Sequence, residues 1–230
     1  MRLFVHHLPI HFISASKWGN QSGNLFDDLP YQYDHIFQGT GHGLVYGLPV
    51  SVTADWINRY FSEGQPLPGR SITWIVENTH QLKKSLQSTF EFLEAAGGLV
   101  RQQDQWLMIY RLGVWDFPKG KIETQEKPKV AASREVWEEC GVPCQPIRKI
   151  GKTWHTYAFQ GKPVLKLTHW FEMTCAEPHT LKPQVEEDIT EVAWCTESQT
   201  SSHLKTSYPS IQWIWAKYQQ IKALNKEDNR

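Results

Sequence analysis

Three glutamates lie close together in one short acidic segment, at positions 135, 138 and 139 of REVWEECGV (134–142). If residues 128–140 form a helix, these three side chains project within an arc of roughly 100°. Like charges at this spacing repel one another, at a cost of a few tenths of a kcal/mol for each exposed pair. A divalent cation would turn this repulsion into ligation, because Mg²⁺ and Mn²⁺ prefer oxygen ligands. The segment therefore predicts either a solvated acidic face or a metal site.

Both ends of this predicted helix are marked in the sequence. Pro128 suits the first helical position, where its missing N–H does no harm, and Gly141 suits a left-handed stop just before Pro143. The side of the helix that is expected to face a core carries Ser133, Val136, Trp137 and Cys140. The carboxylates are expected on the other side, where Arg134 could pair with one of them.

The spacing upstream of the helix favours the metal site. From Gly120 the chain reads Gly, five residues, Glu126, seven residues, and then Arg-Glu-apolar-x-Glu-Glu-x-Gly-apolar. This pattern resembles the signature of the Nudix hydrolase family at every fixed position. The matching residues are Gly120, Glu126, Arg134, Glu135, Val136, Glu138, Glu139, Gly141 and Val142.

The flanking segments resemble the same family. AAGGLV and QWLMIYR look like its opening strands, WDFPKGKIE looks like the approach to its signature loop, and EEDITEVAWC looks like its closing strand. The resemblance covers about residues 95–225, and residues 1–94 resemble no family. It implies a mixed α/β (α+β) fold in which a mixed β-sheet is sandwiched between helices.

The resemblance also implies a reaction and a set of metal ligands. Nudix enzymes use divalent metals to hydrolyse a diphosphate that is joined to another group, so Mg²⁺ or Mn²⁺ is the expected cofactor. By this similarity Glu135, Glu138 and Glu139 are the carboxylate ligands, and the backbone carbonyl of Gly120 is a further ligand. Arg134 matches the family's arginine, which orients a glutamate (here Glu126) by bidentate contact.

The general base stays open between two kinds of glutamate. Family members use either a signature glutamate, here Glu135, or a glutamate outside the motif. Glu135 is favoured, Glu187 comes next, and Glu186 is a further candidate. The last two could equally be solvated loop carboxylates.

Four residues are candidates for contacting the substrate. Arg111, Lys119 and Lys121 surround the predicted metal site in sequence and could bind phosphate oxygens, and Tyr157 is the fourth. The family often has Pro-Gly-Gly before the signature loop, whereas this chain has Pro118-Lys119-Gly120. That variant, with His155, Tyr157 and the strand at 166–170, resembles the branch that acts on dinucleoside polyphosphates and diphosphoinositol phosphates.

The resemblance favours a dinucleoside polyphosphate as the nucleotide-type substrate. An oxidised nucleoside triphosphate or a nucleotide sugar is the alternative. A Nudix-like module that senses a nucleotide without cleaving it is a rival of another class. Such modules typically lose signature glutamates, whereas this chain keeps all of them.

Composition excludes several other classes of function. The chain has 24 basic and 24 acidic residues, so no global charge favours nucleic acid or an anionic membrane as a partner. No stretch approaches the length of a membrane span, and the four sparse cysteines are expected to be reduced, buried thiols. These features predict a cytoplasmic protein; a homodimer is possible.

The remaining pattern predicts the elements that hold the site. Residues 1–94 are expected to form a small α+β domain, with helices at 52–64 and 80–98, a strand at 71–78, and strands interrupted at Pro9. Residues 20–50 look like loops and short strands. A domain of residues 95–230 follows, with a boundary near Gly97–Gly98, two strands within 99–111, and a last helix at 210–224.

Overall fold

A computed structural model of the 230-residue chain describes residues 1–18, 42–45, 49–63, 71–175 and 180–227. The strands are β1 Arg2–Val5, β2 Leu8–Ser14, β3 His42–Val45, β4 Ser71–Val76, β5 Glu91–Gln102, β6 Gln105–Arg111, β7 Val114–Asp116, β8 Lys119–Lys121, β9 Gln145–Phe159, β10 Lys162–Thr174 and β11 Ile189–Thr196. The helices are α1 Ala15–Trp18, α2 Val50–Glu63, α3 Thr79–Thr89, α4 Pro128–Cys140, α5 Glu197–His203 and α6 Pro209–Glu227. Within these ranges no helix is both long enough and apolar enough to cross a membrane.

Contacts divide the chain into two units. The first unit comprises Met1–Leu93 and Trp154–Lys166, and the second comprises Glu94–Thr153 and Leu167–Arg230. The tip of the β9–β10 hairpin thus belongs with the N-terminal residues. Gly97 and Gly98, near the expected boundary, lie inside β5.

The first unit contains a mixed sheet. β1 pairs antiparallel with β2, β2 and β3 both pair parallel with β4, and β1 pairs parallel with β9 at Leu3↔Trp154. The expected break at Pro9 is wrong, because Pro9 lies in β2 opposite Phe4. The chain reverses instead at His6 and His7, whose φ angles are 45° and 68°. A two-residue hairpin requires such positive φ angles.

The second unit places one sheet between two helices. Its strand order is β11-β6-β5-β10-β9, with β7 paired to β6 and β8 paired to β5. Side chains of β6 alternate between two cores, since Leu107 and Ile109 pack with α4 whereas Trp106 and Met108 pack with α6. The predicted mixed α/β fold, with a sheet sandwiched between helices, is confirmed.

The helix expected over residues 80–98 is wrong in its second half. Asn78 caps α3 by accepting the N–H groups of His80 and Gln81, and the helix ends at Thr89. From Glu91 the chain is strand β5, although Leu82, Leu86, Phe90 and Leu93 have helical spacing. Residues 95–97 pair with β8, so tertiary pairing overrides the local pattern.

Residues 20–50 were expected to form loops and short strands, and the structure describes only two parts of this segment, residues 42–45 and 49–50. Residues 42–45 form the short strand β3, and α2 begins at Val50, two residues before the expected start at 52. The predicted loops at 20–41 and 46–48 lie outside the described residues.

Candidate active site

The predicted helix over residues 128–140 is confirmed as α4. Pro128 occupies its first turn, and Gly141 ends it at φ 72°, donating its N–H to the carbonyl of Trp137 at 2.8 Å. A left-handed residue at this position favours glycine, which has no Cβ to clash. The ends of the helix follow from local rules.

The orientation of α4 differs from expectation. Glu135 and Glu139 are buried together with Val136 and Cys140, whereas Trp137, which was expected in the core, is 59% exposed. The two carboxylates are buried because they face β8, where Glu139 accepts the backbone N–H of Lys119 and Glu135 packs against Gly120. The acidic side of the helix is therefore an interior surface, and the indole lies outside.

Arg134 connects three of the signature glutamates. Its Nε and Nη2 donate to both oxygens of Glu126 at 3.0 and 2.8 Å. Its Nη1 donates to Glu135 Oε1 and to Glu138 Oε2, each at 2.8 Å. Nη2 also donates to the carbonyl of Lys121 at 2.9 Å, which ties the helix to the signature loop. The guanidinium therefore supplies the positive charge that the crowded carboxylates need.

We expect Arg134→Met to lower the free energy of unfolding of the metal-free protein by about 3 kcal/mol, because it strands buried carboxylates without a partner. Glu126 and Glu135, two of its partners, are only 12% and 6% exposed. Arg101→Met is the matched control, since its partner Asp104 is 96% exposed and such a pair contributes less than about 1 kcal/mol. Urea unfolding in EDTA measures both; equal losses in the two variants would contradict the role given to Arg134.

Glu139 is the most deeply buried of the cluster. Its Oε2 accepts the backbone N–H of Lys119 at 2.7 Å, and its Oε1 is buried without a hydrogen-bond partner among the described residues. Burial raises the pKa of Glu139 to about 8, although the positive charge of Lys119 opposes the shift. Burying an oxygen without a donor is energetically costly, and a cation bound beside Glu139 Oε1 would supply the missing partner.

Glu135 lies directly against Gly120. A Cβ at position 120 would overlap the Glu135 carboxylate, so only glycine lets the signature loop come this close. Burial raises the pKa of Glu135, and Arg134 opposes that shift. Gly120 and both buried glutamates thus meet at one place, as the metal-site hypothesis requires.

The donor set fits a hard divalent cation. Across the described residues no group of three or more histidine, cysteine or acidic side chains is already arranged so that it could hold a metal ion. Arg134 holds one oxygen each of Glu135 and Glu138. The oxygens outside that contact are Glu135 Oε2, Glu138 Oε1 and the two oxygens of Glu139, of which Oε1 has no hydrogen-bond partner among the described residues. Carboxylate and carbonyl oxygens are the ligands that Mg²⁺ and Mn²⁺ prefer.

Arg111 and Glu187, two further candidate site residues, form an ion pair. Arg111 Nη2 lies 3.4 Å from Glu187 Oε2, and the Glu187 side chain is 40% exposed. The charge of Glu187 adds a minor part to the rise in the pKa of Glu135. Glu186, in the same 3-10 turn, is exposed.

The other predicted contact residues lie in different environments. Lys121 is exposed, with its carbonyl bound to Arg134. Tyr157 belongs to the first unit and stacks on His155, with ring centroids 5.6 Å apart. Lys119 is buried, and its ammonium pairs with Asp116. Sequence analysis did not identify Asp116 as a site residue. The available signal was its position directly before Phe117-Pro118 and three residues before Lys119.

Comparisons with known proteins agree with this geometry. A family model described as NUDIX domain matches residues 91–214, more than half of the chain. An RNA pyrophosphohydrolase of Cereibacter sphaeroides is 44% identical over 45 residues, which is 19% of this chain and 28% of that protein. A MutT-like protein of Streptomyces ambofaciens is 40% identical over 52 residues, 22% of this chain and 34% of that protein. The chain thus spans about a third or less of the length of these relatives.

Two solved structures are among those similar to this chain. The C. elegans Ap4A hydrolase binary complex matches with a TM-score of 0.45 and 19% identity, covering 57% of this chain and 98% of that one. A NUDIX hydrolase from Nitrosomonas europaea matches with a TM-score of 0.44 and 21% identity, covering 56% and 88%. On the match over residues 91–214, and with its signature complete from Gly120 to Val142, the chain belongs to the Nudix family.

Proposed function

We propose that this protein is a Nudix pyrophosphohydrolase that cleaves a diphosphate bond in a nucleotide derivative, by attack of water at phosphorus. One observation carries the proposal: the buried, unpartnered Oε1 of Glu139 lies in the same carboxylate cluster as Glu135, which packs against Gly120. Burying two carboxylates and leaving one oxygen without a donor is costly for a helix with a purely structural role.

The residues that would hold the metal are Glu135, Glu138, Glu139 and the carbonyl of Gly120. A bound Mg²⁺ or Mn²⁺ neutralises diphosphate charge and stabilises the leaving oxygen. Arg134 holds Glu135 and Glu138 by hydrogen bonds, and its own position is fixed by Glu126 and the carbonyl of Lys121. Lys121, which is exposed beside the cluster, is available to a phosphate oxygen.

A dinucleoside polyphosphate is the favoured substrate class. The support is the Pro118-Lys119-Gly120 variant before the loop, which resembles that branch of the family. Nucleoside triphosphates and nucleotide sugars are the alternatives, and the relatives named RNA pyrophosphohydrolase add 5′-triphosphate RNA to the set worth testing. A cytoplasmic location and a homodimer stay predictions.

A substrate panel tests this proposal. Wild-type protein is incubated with dinucleoside polyphosphates, nucleoside triphosphates, ADP-ribose, nucleotide sugars and 5′-triphosphate RNA, with Mg²⁺, with Mn²⁺ and with EDTA. We expect metal-dependent release of phosphate-containing products from the dinucleoside polyphosphates. Metal-dependent binding of a nucleotide without turnover would favour the sensing module, and neither binding nor turnover would refute the proposal.

We further propose that Glu187 is the general base. Glu135 is 6% exposed, accepts a hydrogen bond from Arg134 with Oε1 and packs against Gly120, and the proposed metal site uses its carboxylate, so it has little access to the attacking water. Glu187 is 40% exposed, lies close enough to act on Glu135, and is held by Arg111. A base needs access to the attacking water, which Glu187 has.

We expect Glu187→Gln to lower kcat by about 10²–10³-fold while Mn²⁺ affinity changes little, because a base contributes about this much. Glu186→Gln, an exposed neighbour in the same turn, is the matched control and should stay within about threefold of wild type. Steady-state kinetics and Mn²⁺ titration provide the two readouts. If Glu187→Gln lowers kcat by less than about fivefold, Glu135 becomes the favoured general base.

A further inference from the structure

The turn between β7 and β8 is organised by one buried carboxylate. Asp116 accepts the backbone N–H of Phe117 with Oδ1 at 2.7 Å and pairs through Oδ2 with the ammonium of Lys119. The Asp116 and Lys119 side chains are only 5% and 10% exposed. We call residues 116–119 the Asp116 turn.

Packing fixes the Asp116 turn on its other sides. Phe117 is fully buried in the core beneath α6. The carbonyl of Pro118 accepts the N–H of Gly98 at 3.1 Å. A Cβ at Gly97 would overlap Lys119, so the glycine of β5 leaves the space that the lysine fills.

The Asp116 turn ends at the carboxylate cluster. The backbone N–H of Lys119 donates to Glu139 Oε2 at 2.7 Å, which leaves Oε1 as the oxygen without a partner. The next residue, Gly120, packs against Glu135. A shift of this backbone would therefore move the partners of both buried glutamates at once.

We propose that Asp116 is a positioning residue for the metal site, and that Lys119 serves the same task instead of binding substrate phosphate. Asp116 holds the ammonium and the Phe117 N–H, and so fixes the turn that presents the Lys119 N–H to Glu139. This inference rests on the proposed function, since it gives Glu139 the role of a metal ligand.

The physical cost of the pair supports a positioning role. A buried ion pair adds little stability, because desolvation offsets the attraction, and apolar side chains of similar size would often stabilise the fold as well. Removing one partner alone is costly, since it leaves an uncompensated charge. Outer contacts that orient ligands typically account for 10–100-fold in metal affinity or activity.

Three variants test the proposal in the full-length chain: Asp116→Asn, Lys119→Met and the double variant. Asp104→Asn is the matched control, because Asp104 is exposed and lies in another turn. The readouts are Mn²⁺ affinity by electron paramagnetic resonance, hydrogen exchange of the Lys119 amide in metal-free protein, thermal unfolding, and kcat and KM for the best substrate of the panel.

We expect Asp116→Asn to weaken Mn²⁺ binding by about 10–100-fold and to speed Lys119 amide exchange at least tenfold, with KM changed by less than about threefold. The double variant should regain most of the lost thermal stability, since no buried charge is left unpaired, while its Mn²⁺ affinity stays weak. Recovery of stability without recovery of metal binding separates positioning from a purely structural role.

Two results would overturn the inference. One is wild-type Mn²⁺ affinity in both Asp116→Asn and the double variant. The other is a Lys119→Met variant with normal Mn²⁺ binding and a raised KM, which would assign Lys119 to the substrate. If wild-type protein binds no Mn²⁺ at all, the proposed function fails instead, and the amide-exchange comparison still reports whether Asp116 holds the turn.

Discussion

Glu139→Gln is expected to abolish hydrolysis and, at the same time, to stabilise the metal-free fold. The carboxylate is fully buried, and one of its oxygens has no partner among the described residues. An amide of the same shape carries no charge to desolvate, so the metal-free protein gains stability. It is also a poor ligand for Mg²⁺, so kcat should fall by about 10³-fold or more.

The gain in stability should depend on pH with a definite sign. Burial raises the pKa of Glu139 from its ordinary value of 4.5 to about 8. A pKa raised by folding contributes stability that is fully present below 4.5 and is lost as the pH rises through 8. Glutamine does not titrate, so the advantage of Glu139→Gln over wild type should grow from pH 5 to pH 8, reaching about 2–4 kcal/mol.

Urea unfolding in EDTA at pH 5, 6.5, 8 and 9 measures this difference. Glu123→Gln is the matched control, because Glu123 is exposed in the same signature segment, and its curve should follow that of wild type. A Glu139→Gln variant that is less stable than wild type at pH 8 would contradict the burial argument. Retained turnover would contradict the assignment of Glu139 as a metal ligand.

A fragment of residues 95–230 is expected not to fold on its own. Cutting there removes the first four residues of β5 and also β1, which pairs with Trp154 of β9. Trp154, Val164 and Leu165 are buried side chains of the hairpin tip, which belongs to the first unit. Exposing three such side chains costs about 4–8 kcal/mol, comparable to the stability of a typical domain.

A second fragment provides the control for this prediction. It begins at Thr89, which keeps β5 whole, and it joins Thr153 to Leu167 through a short Asn-Gly turn in place of Trp154–Lys166. This fragment should unfold cooperatively, whereas residues 95–230 should not, as circular dichroism and thermal scans would show. Cooperative unfolding of residues 95–230 would favour the division at residue 94 that the sequence predicts.

The signature predicted α4 almost completely from local rules. A proline at the start, a glycine at the end and fixed spacing of the glutamates determine that helix without reference to the remainder of the chain. The pairing of Arg134 with Glu126 followed from the resemblance, and the structure places those groups in bidentate contact. Local sequence and a specific motif were sufficient here.

Longer-range packing set the features that the sequence did not predict. Helical periodicity favoured a helix through residue 98, but β5 forms there because residues 95–97 find partners in β8. Polarity put Glu135 and Glu139 outside and Trp137 inside, yet the reverse holds, since Glu135 has a partner in Arg134 and Glu139 has one in the backbone of β8. The sequence made Lys119 a candidate for contacting substrate phosphate, whereas its ammonium is buried in an ion pair with Asp116.

The contacts of Arg134 bear on whether this protein folds before or after it binds a metal ion. In zinc fingers the chain is unfolded without its ion, so metal loading and folding are one event. Here a guanidinium already neutralises part of the cluster, and Glu139, with a pKa of about 8, is mostly protonated at neutral pH. If Glu139 is a metal ligand, as proposed, the protein is therefore expected to fold without the ion and to release a proton when the ion binds.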